Sequence, residues 1–310
     1  VVGKLGQKEA DVLVDRAINA GINFFDTANA YSDGESEVIL GRALGTKRKD
    51  VILATKVMSR MGEGPNEMGL SRVHILQQVE QSLKRLGTDY IDIYQIHGYD
   101  PFTPMEDTLR TLDDLVRSGK VRYIGCSNLT AWQLMKALDI SRFSGLEPFQ
   151  CIQSYYSIAC RDIEREIVPL LEDQDVGLLV WSPLSGGFLS GKFTRQGVSD
   201  ESARRASFDF PPLDKEKTYD VIEVMGKIAE AHHVSVAQIA LAWLLHQDYV
   251  TSVIIGVKTL EQLEDNIQAI ELQLNQDELI QLDEVSKLPG EYPGWNQYPA
   301  WPSDRVPGDQ

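Results

Sequence analysis

Four side chains of different chemistry lie at or near the ends of apolar stretches in the first third of the chain: Asp26, Tyr31, Lys56 and His97. An ammonium close to a phenol favours the phenolate, and a free tyrosine phenol has a pKa of about 10. A phenol in that setting gives a proton to an oxyanion as it forms, or takes the proton back. Such a group suits carbonyl reduction, in which hydride goes to carbon and a proton goes to oxygen.

Each of these side chains also has a common structural role. A single histidine at a strand end is more often hydrogen-bonded than catalytic, and a lysine there can extend its charge to water. Lys56, however, lies inside the apolar stretch ILATKV. Burying its ammonium is costly unless an anion pairs with it. We therefore predict that Asp26 pairs with Lys56 and that Tyr31 exchanges the proton.

Two other chemistries fit the sequence less well. Hydrolysis through a covalent nucleophile needs a serine or cysteine beside a base, and the pattern offers no such pair. A metal-dependent barrel hydrolase needs a cluster of ligands. His97 is the one histidine at a predicted strand end, because the other four fall on predicted helices or at their ends. We expect no metal site.

The four positions are explained if the apolar stretches are parallel strands. Strands and helices alternate at a spacing of about 30 residues, which is typical of βαβ units and a parallel sheet. Seven strands are predicted, at 22–28, 50–57, 90–97, 121–128, 149–155, 176–183 and 252–257. Helices are predicted at 8–20, 36–44, 71–86, 104–118, 131–138, 163–171, 217–231, 236–245, 260–269 and 277–285. Residues 184–216 form the longest stretch without periodicity.

The predicted fold is α/β, a (β/α)8 barrel in which residues 1–310 form a single domain. Reactive side chains of such barrels lie at the carboxyl ends of the strands. A closed barrel needs eight strands, and no eighth follows the seventh, so we expect the first strand to precede residue 1. The structural alternative is an open doubly wound sheet, which usually carries a GxGxxG loop. The sequence contains no such loop.

The charge of the chain argues against several classes of partner. The net charge is −16, which repels nucleic-acid phosphates and anionic lipid. We expect a small-molecule substrate, no nucleic acid and no membrane, with any anionic ligand held by a local cluster of Lys and Arg. Three cysteines without CxxC spacing indicate a reducing compartment such as the cytoplasm. No apolar run reaches the about 20 residues of a membrane span, and no signal peptide is visible.

Several longer motifs resemble those of the aldo-keto reductase family in sequence and in order. They are GINFFDTANAYSDGESEVILGRAL, VILATKV, LKRLGTDYIDIYQIH, GKVRYIGCSN, VWSPLSGGFLSGKF and IIGVKTLEQLEDN. The resemblance extends from Lys8 to the C-terminal tail and is greatest to the microbial branch related to potassium-channel β subunits. It implies the same barrel and an NADP(H)-dependent oxidoreductase that interconverts aldehydes or ketones and alcohols.

The resemblance also implies roles for individual residues. The catalytic tetrad is matched by Asp26, Tyr31, Lys56 and His97, with Tyr31 as general acid and base. The contacts to the nicotinamide carboxamide are matched by Ser127, Asn128 and Gln153, and the aromatic that stacks on the nicotinamide by Trp181. The loop over the pyrophosphate is matched by Ser182, Leu184, Gly186 and Lys192, and a basic residue near the adenosine by Arg205. The adenosine and 2′-phosphate region is matched by Gly256, Lys258, Gln262, Asp265 and Asn266.

The sequence departs from the family pattern in two places. The family's first strand and amino-terminal hairpin are not present, and the family often has arginine where this chain has Gln262. Lys258 is therefore expected to bind the 2′-phosphate. A second function class stays open, a nucleotide-sensing subunit that binds NADP(H) but turns over slowly. The substrate pocket is expected to be lined by Tyr31, Met58, Tyr99, Trp181 and the aromatic tail.

Overall fold

The computed structural model describes residues 5–198, 205 and 208–297. Its main feature is a sheet of seven parallel strands whose spatial order follows the chain. These strands are β1 (Phe24–Asp26), β2 (Ile52–Val57), β3 (Ile91–Ile96), β4 (Val121–Ser127), β5 (Phe149–Tyr155), β6 (Gly177–Trp181) and β9 (Val250–Val253). After β6, the short strands β7 (Phe193–Thr194) and β8 (Gly197–Val198) form a separate antiparallel hairpin.

At least one helix connects each strand of the sheet to the next, so every connection is a βα unit. The helices are α1 (Gln7–Asn19), α2 (Glu35–Leu44), α3 (Arg72–Leu86), α4 (Met105–Arg117), α5 (Ala131–Ser144), α6 (Ile167–Gln174), α7 (Lys215–His232), α8 (Val236–Leu245), α9 (Leu260–Ile267), α10 (Gln276–Ser286) and α11 (Gly294–Gln297). The prediction of an α/β fold with a parallel sheet is confirmed.

The apolar side chains of the strands form the core. Five fully buried residues, one from each strand from β2 to β6, are Leu53, Ile96, Ile124, Ile152 and Val180. Parallel strands whose surfaces are covered by helices and by barrel-filling side chains have little contact with water, which is why these stretches are almost continuously apolar. This packing fixes the strand ends relative to one another.

Most predicted boundaries differ from the structure by at most three residues, and three differ by four or more. Strand β9 ends at Val253 rather than at 257, because its pairing with β6 runs only from Val250 to Val253. Helix α5 continues to Ser144 rather than ending at 138, because the left-handed residue that ends it is Gly145 (φ 64°). Helix α6 begins at Ile167, because the residues before it form a separate 3-10 turn. The stretch from 184 to 216 is also less irregular than expected, since it contains a 3-10 segment and the β7–β8 hairpin.

Among the described residues the sheet has two edges, at β1 and at β9. The strand expected before residue 1 lies outside this part of the chain, as does much of the aromatic tail. Within the described ranges no single helix combines the length and apolarity that a membrane crossing needs; α7 and α8 do so only as a pair bent by 98°.

Candidate active site

The first three strands of the sheet bring three of the predicted residues to the same end of the sheet. Asp26 is the last residue of β1, Lys56 is the last but one of β2, and His97 directly follows β3. Because these strands are parallel, their carboxyl ends lie side by side. The three side chains thus come from separate stretches of sequence but share one location.

The ammonium of Lys56 is buried and has two acceptors. It donates hydrogen bonds to Oδ2 of Asp26 and, over 2.8 Å, to the backbone oxygen of Thr27. The side chains of Lys56 and Asp26 are 0% and 6% exposed. An unpaired charge at this depth would be strongly destabilising, whereas the pair compensates both charges. The ammonium is therefore fixed at the end of β2.

Tyr31 lies in a tight turn, Tyr31–Gly34, between β1 and α2. Ser32 and Asp33 in this turn have φ values of 51° and 54°, which are uncommon for residues other than glycine. The turn places the ring of Tyr31 with its centroid 5.1 Å from Nζ of Lys56. The rings of Tyr31 and His97 meet edge-on, with centroids 5.6 Å apart and planes at 72°. Phenol, ammonium and imidazole are therefore neighbours.

A buried ion pair supports the turn that follows Tyr31. Glu37 on α2 accepts hydrogen bonds from Nε of Arg85 and from Oγ1 of Thr55, each over 2.6 Å. Arg85 lies against Gly34, where an added Cβ would come within 2.8 Å of the arginine Cδ. Gly34 also has a φ of 91°, so both its conformation and its surroundings require glycine. Helices α2 and α3 and strand β2 thus hold the backbone next to Tyr31.

His97 is neutral at physiological pH. Burial, and then the positive charge of Lys56, lower the pKa of its imidazole to about 4, against an opposing effect of Asp26. The backbone of His97 is held on both sides, by the oxygen of Val57 (2.9 Å) and by Nδ2 of Asn128 (3.1 Å). A neutral imidazole can orient a substrate oxygen but is not an imidazolium that gives up a proton. This leaves Tyr31 as the candidate acid.

A chain of hydrogen bonds joins Asp26 to the aromatic residue at the end of β6. Nε1 of Trp181 donates to Oδ1 of Asn128, and Nδ2 of Asn128 donates to Oγ of Ser127, each over 3.0 Å. Ser127 donates to the backbone oxygen of Gln153 (2.8 Å), and Nε2 of Gln153 donates to Oδ1 of Asp26 (2.9 Å). The structure therefore brings together the four residues predicted to face the nicotinamide. Both amide hydrogens of Asn128 already form hydrogen bonds within the protein. The side chain would have to give up one of these bonds to donate to a ligand.

The loop after β6 is packed against the segment that includes Phe210. Oγ of Ser182 accepts a hydrogen bond from the N–H of Gly186 (2.8 Å). At Gly186 (φ 67°) a Cβ would come within 2.3 Å of the backbone oxygen of Phe210, so only glycine fits. Arg205 is buried and donates to the backbone oxygen of Ser185 (2.8 Å), so it braces this loop. The other two residues predicted in this region are partly buried, Leu184 and Lys192.

The predicted adenosine region follows β9 and continues into α9. Gly256, Lys258 and Gln262 are exposed, and Oε1 of Gln262 accepts a hydrogen bond from the N–H of Lys258 (2.8 Å). Asn266 is buried. The carboxylate of Asp265 is engaged within the protein, because its oxygens accept hydrogen bonds over 2.8 and 2.7 Å from side chains at the start of α8. Lys258 thus presents an exposed ammonium, whereas Asp265 and Asn266 face inward.

The sequence does not single out two residues that the structure brings to this site. Nε2 of Gln95 donates to Oδ1 of Asp26 (3.1 Å). The ring of Phe210 lies nearly parallel to that of Trp181, with an angle of 11° and centroids 6.0 Å apart. The sequence contains a clue to Gln95, because an amide inside the apolar strand IDIYQI indicates a buried polar side chain. It contains no such clue to Phe210, because the segment of Phe210 has no periodicity.

The described residues offer little for metal or thiol chemistry. Across 5–198, 205 and 208–297 no group of three or more His, Cys, Asp or Glu side chains is arranged to hold a metal ion. All three cysteines are free thiols. Burial, with a further contribution from Asp26, raises the pKa of Cys151 to about 12, so this thiol stays protonated and unreactive.

The chain is similar over most of its length to several known proteins. The model of the aldo/keto reductase family matches residues 3–287. The uncharacterized oxidoreductase YrpG of Bacillus subtilis is 39% identical over 92% of this chain and 89% of its own length. The versiconal hemiacetal acetate reductase of Aspergillus parasiticus is 33% identical over 94% of this chain and 90% of its own. A putative voltage-gated potassium channel subunit beta of Schizosaccharomyces pombe is 36% identical over 87% of this chain and 82% of its own.

The low pKa of His97 predicts a pH dependence of stability. The free imidazole takes up a proton near pH 6.5, whereas the folded protein does so near pH 4, so the unfolded state gains stability as pH falls between these values. From pH 7 to pH 4 we expect wild-type protein to lose about 3 kcal/mol more unfolding free energy than His97→Gln. Urea denaturation of both proteins at each pH measures this difference. Equal losses would contradict a buried neutral imidazole.

Proposed function

This chain belongs to the aldo/keto reductase family, and from that premise we propose that it is an NADP(H)-dependent enzyme interconverting aldehydes or ketones and alcohols. The family fold is a (β/α)8 barrel, and the family acts on small carbonyl and alcohol compounds. In the proposal Tyr31 is the general acid and base, Lys56 and Asp26 control its charge, and His97 orients the substrate oxygen.

One observation carries the proposal: the ring of Tyr31 lies 5.1 Å from the buried ammonium of Lys56. When a proton leaves Tyr31, a negative charge remains on the phenol oxygen. Because Lys56 is itself buried, its fixed positive charge stabilises that negative charge more than a freely solvated ammonium would. The arrangement therefore suits a reaction in which a tyrosine exchanges a proton with a substrate oxygen.

The residues of the chain account for the proton side of the reaction. When bound, the nicotinamide supplies hydride to the carbonyl carbon or accepts it from the alcohol. During reduction Tyr31 gives its hydroxyl proton to the carbonyl oxygen, and Lys56 stabilises the phenolate that remains. During oxidation the phenolate takes the proton of the alcohol hydroxyl. His97, being neutral, holds the substrate oxygen by a hydrogen bond without competing for the proton.

The residues around Trp181 fit a nicotinamide dinucleotide. Gln153 has its amide nitrogen on Asp26, which leaves Oε1 to accept a hydrogen bond from a nicotinamide carboxamide. The indole of Trp181 provides a flat stacking surface nearby. Lys258, exposed before α9, supplies positive charge for a 2′-phosphate on a chain whose net charge is −16. These features support NADP(H) as the cofactor.

The setting proposed for the reaction is a reducing compartment such as the cytoplasm. Cys126, Cys151 and Cys160 are all free thiols, and disulfides are rare in that compartment. The strongly acidic surface favours a small molecule over nucleic acid or anionic lipid as the partner.

A second candidate function is binding of NADP(H) with slow turnover, as in a regulatory subunit. The 36% identity to a putative potassium channel subunit beta favours it. The arrangement of Asp26, Tyr31, Lys56 and His97 favours catalysis instead, because a binding protein has no need of a phenol beside a buried ammonium.

Tyr31→Phe removes the proposed proton donor and keeps the ring. We expect kcat for aldehyde reduction with NADPH to fall by about 10²–10⁴-fold, with little change in NADPH affinity, because the hydroxyl acts on the substrate. NADPH absorbance with aldehydes, cyclic ketones and sugars measures turnover, and fluorescence titration measures affinity.

Tyr94→Phe is the matched control for this variant. Its hydroxyl is buried and has no hydrogen-bond partner among the described residues, and its side chain points to the opposite face of β3 from Gln95. It should keep wild-type turnover. A full aldehyde-reducing rate in Tyr31→Phe would exclude Tyr31 as the donor. Wild-type protein that binds NADPH yet turns over no carbonyl would favour the regulatory alternative.

Lys258→Ala tests the preference for NADP(H) over NAD(H). The 2′-phosphate is present in NADPH and absent from NADH, so loss of the ammonium should raise the Kd for NADPH by about tenfold. The Kd for NADH should stay the same. Fluorescence titration of wild-type protein and Lys258→Ala with both nucleotides gives the comparison, and an equal change for the two nucleotides would argue against this role of Lys258.

A further inference from the structure

Gln95 is a fully buried amide in the strand β3. It lies in register with Lys56 on β2 and with Gly125 on β4. Gly125 provides the space for it, because a Cβ there would come within 3.2 Å of Cγ of Gln95. A buried polar side chain is costly unless it is hydrogen-bonded. The contacts that Gln95 makes therefore explain why an amide is stable at this position.

The amide of Gln95 binds the oxygen of Asp26 that Lys56 leaves free. Oδ1 of Asp26 accepts from Nε2 of Gln95 (3.1 Å) and from Nε2 of Gln153 (2.9 Å), and Oδ2 accepts from Lys56. Nε2 of Gln153 also lies 3.4 Å from Oε1 of Gln95. The opposite orientation of either amide would set a carbonyl oxygen against the carboxylate, so electrostatics determines the orientation shown. We call the two amides and Asp26 the amide clamp.

The amide clamp restricts the carboxylate of Asp26 in both position and charge. With donors on both oxygens, the carboxylate cannot rotate without breaking a charge-assisted hydrogen bond. Gln153 is expected to contact the cofactor as well, whereas the hydrogen bonds of Gln95 are made to Asp26 and Gln153. Gln95 therefore supports Asp26 from inside the sheet.

We infer that Gln95 is a positioning residue, which holds Asp26 and, through Asp26, the ammonium of Lys56 beside Tyr31. This inference rests on the proposed function, because its kinetic effect requires turnover. Without Gln95 the negative charge of Asp26 is balanced by fewer donors and cancels more of the positive charge that acts on Tyr31. Alcohol oxidation needs the ionised phenol, so its pH profile should move to higher pH.

Gln95→Leu tests the inference, because leucine is similar in size and has no donor. We expect kcat for alcohol oxidation to fall about tenfold, and the pH of half-maximal rate to rise by about 0.5–1 unit. The Kd for NADPH should stay within about twofold, since Gln95 acts on the proton-transfer group. Rates measured from pH 5 to 10 and a nucleotide titration give these values.

Gln78→Leu is the matched control, because Gln78 is also a buried glutamine but accepts its hydrogen bond from Asn29 (3.0 Å), outside the clamp. This variant should lose stability without a shift of the pH profile. An unshifted profile in Gln95→Leu, or an equal shift in Gln78→Leu, would overturn the inference.

Gln95→Glu is a further test, because glutamate has nearly the same size and shape as glutamine but loses the amide donor. A protonated carboxyl can donate to Asp26 and restore the clamp, whereas an ionised one repels it. The rate of aldehyde reduction relative to wild type should therefore recover as pH falls. A loss of the same size at every pH would overturn the inference.

A measurement that needs no turnover separates this inference from the proposed function. The free energies of unfolding of Gln95→Leu, Gln153→Leu and the double variant form a cycle. Either amide alone still supports Oδ1 of Asp26, so the double variant should lose more than the sum of the single losses. Additive losses would overturn the clamp whatever the activity. If the unfolding free energies are coupled but the protein reduces no carbonyl, the proposed function is refuted and the amide clamp is still supported.

Discussion

One electrostatic constraint organises this structure: the side chain of Lys56, near the end of β2, carries its charge without any exposed surface. Asp26 supplies the opposite charge, and two glutamine amides supply the donors that Asp26 still requires. The same positive charge contributes to keeping His97 neutral. The buried charge of Lys56 therefore requires a paired carboxylate beside it and adds to the effect of burial that keeps His97 neutral.

This constraint couples two ends of the site that are distant in sequence. Hydrogen bonds run from Trp181 through Asn128, Ser127 and Gln153 to Asp26. The proposed nicotinamide contacts and the proposed proton-transfer group therefore share one network. On a chain of net charge −16, Lys56 provides a local positive charge beside Tyr31, and its partner Asp26 is the residue on which the network ends.

Much of this could be predicted from the sequence, because the signals are local. Alternating strand and helix patterns predict a parallel sheet. Polar residues at the carboxyl ends of the predicted strands predict which end of the sheet carries the site. The role of Gln95 could not be predicted, because a lone amide in an apolar strand indicates a buried polar group but does not show which carboxylate it contacts. The burial of Arg205 depends on its hydrogen bond to the backbone oxygen of Ser185, and no periodicity encodes that contact. The end of α5 depends on Gly145, which takes the left-handed conformation and lies beyond the predicted boundary at residue 138.

The central claim is that Lys56 and Asp26 act on Tyr31 as one unit. Single-turnover hydride transfer from NADPH to an aldehyde, followed by stopped-flow fluorescence, tests it in Lys56→Met, Asp26→Asn and the double variant. The account predicts that the double variant is no slower than the slower single variant, because residues that act as a unit lose their effect together. Losses that multiply in the double variant would show that the two side chains act independently, and would contradict the account.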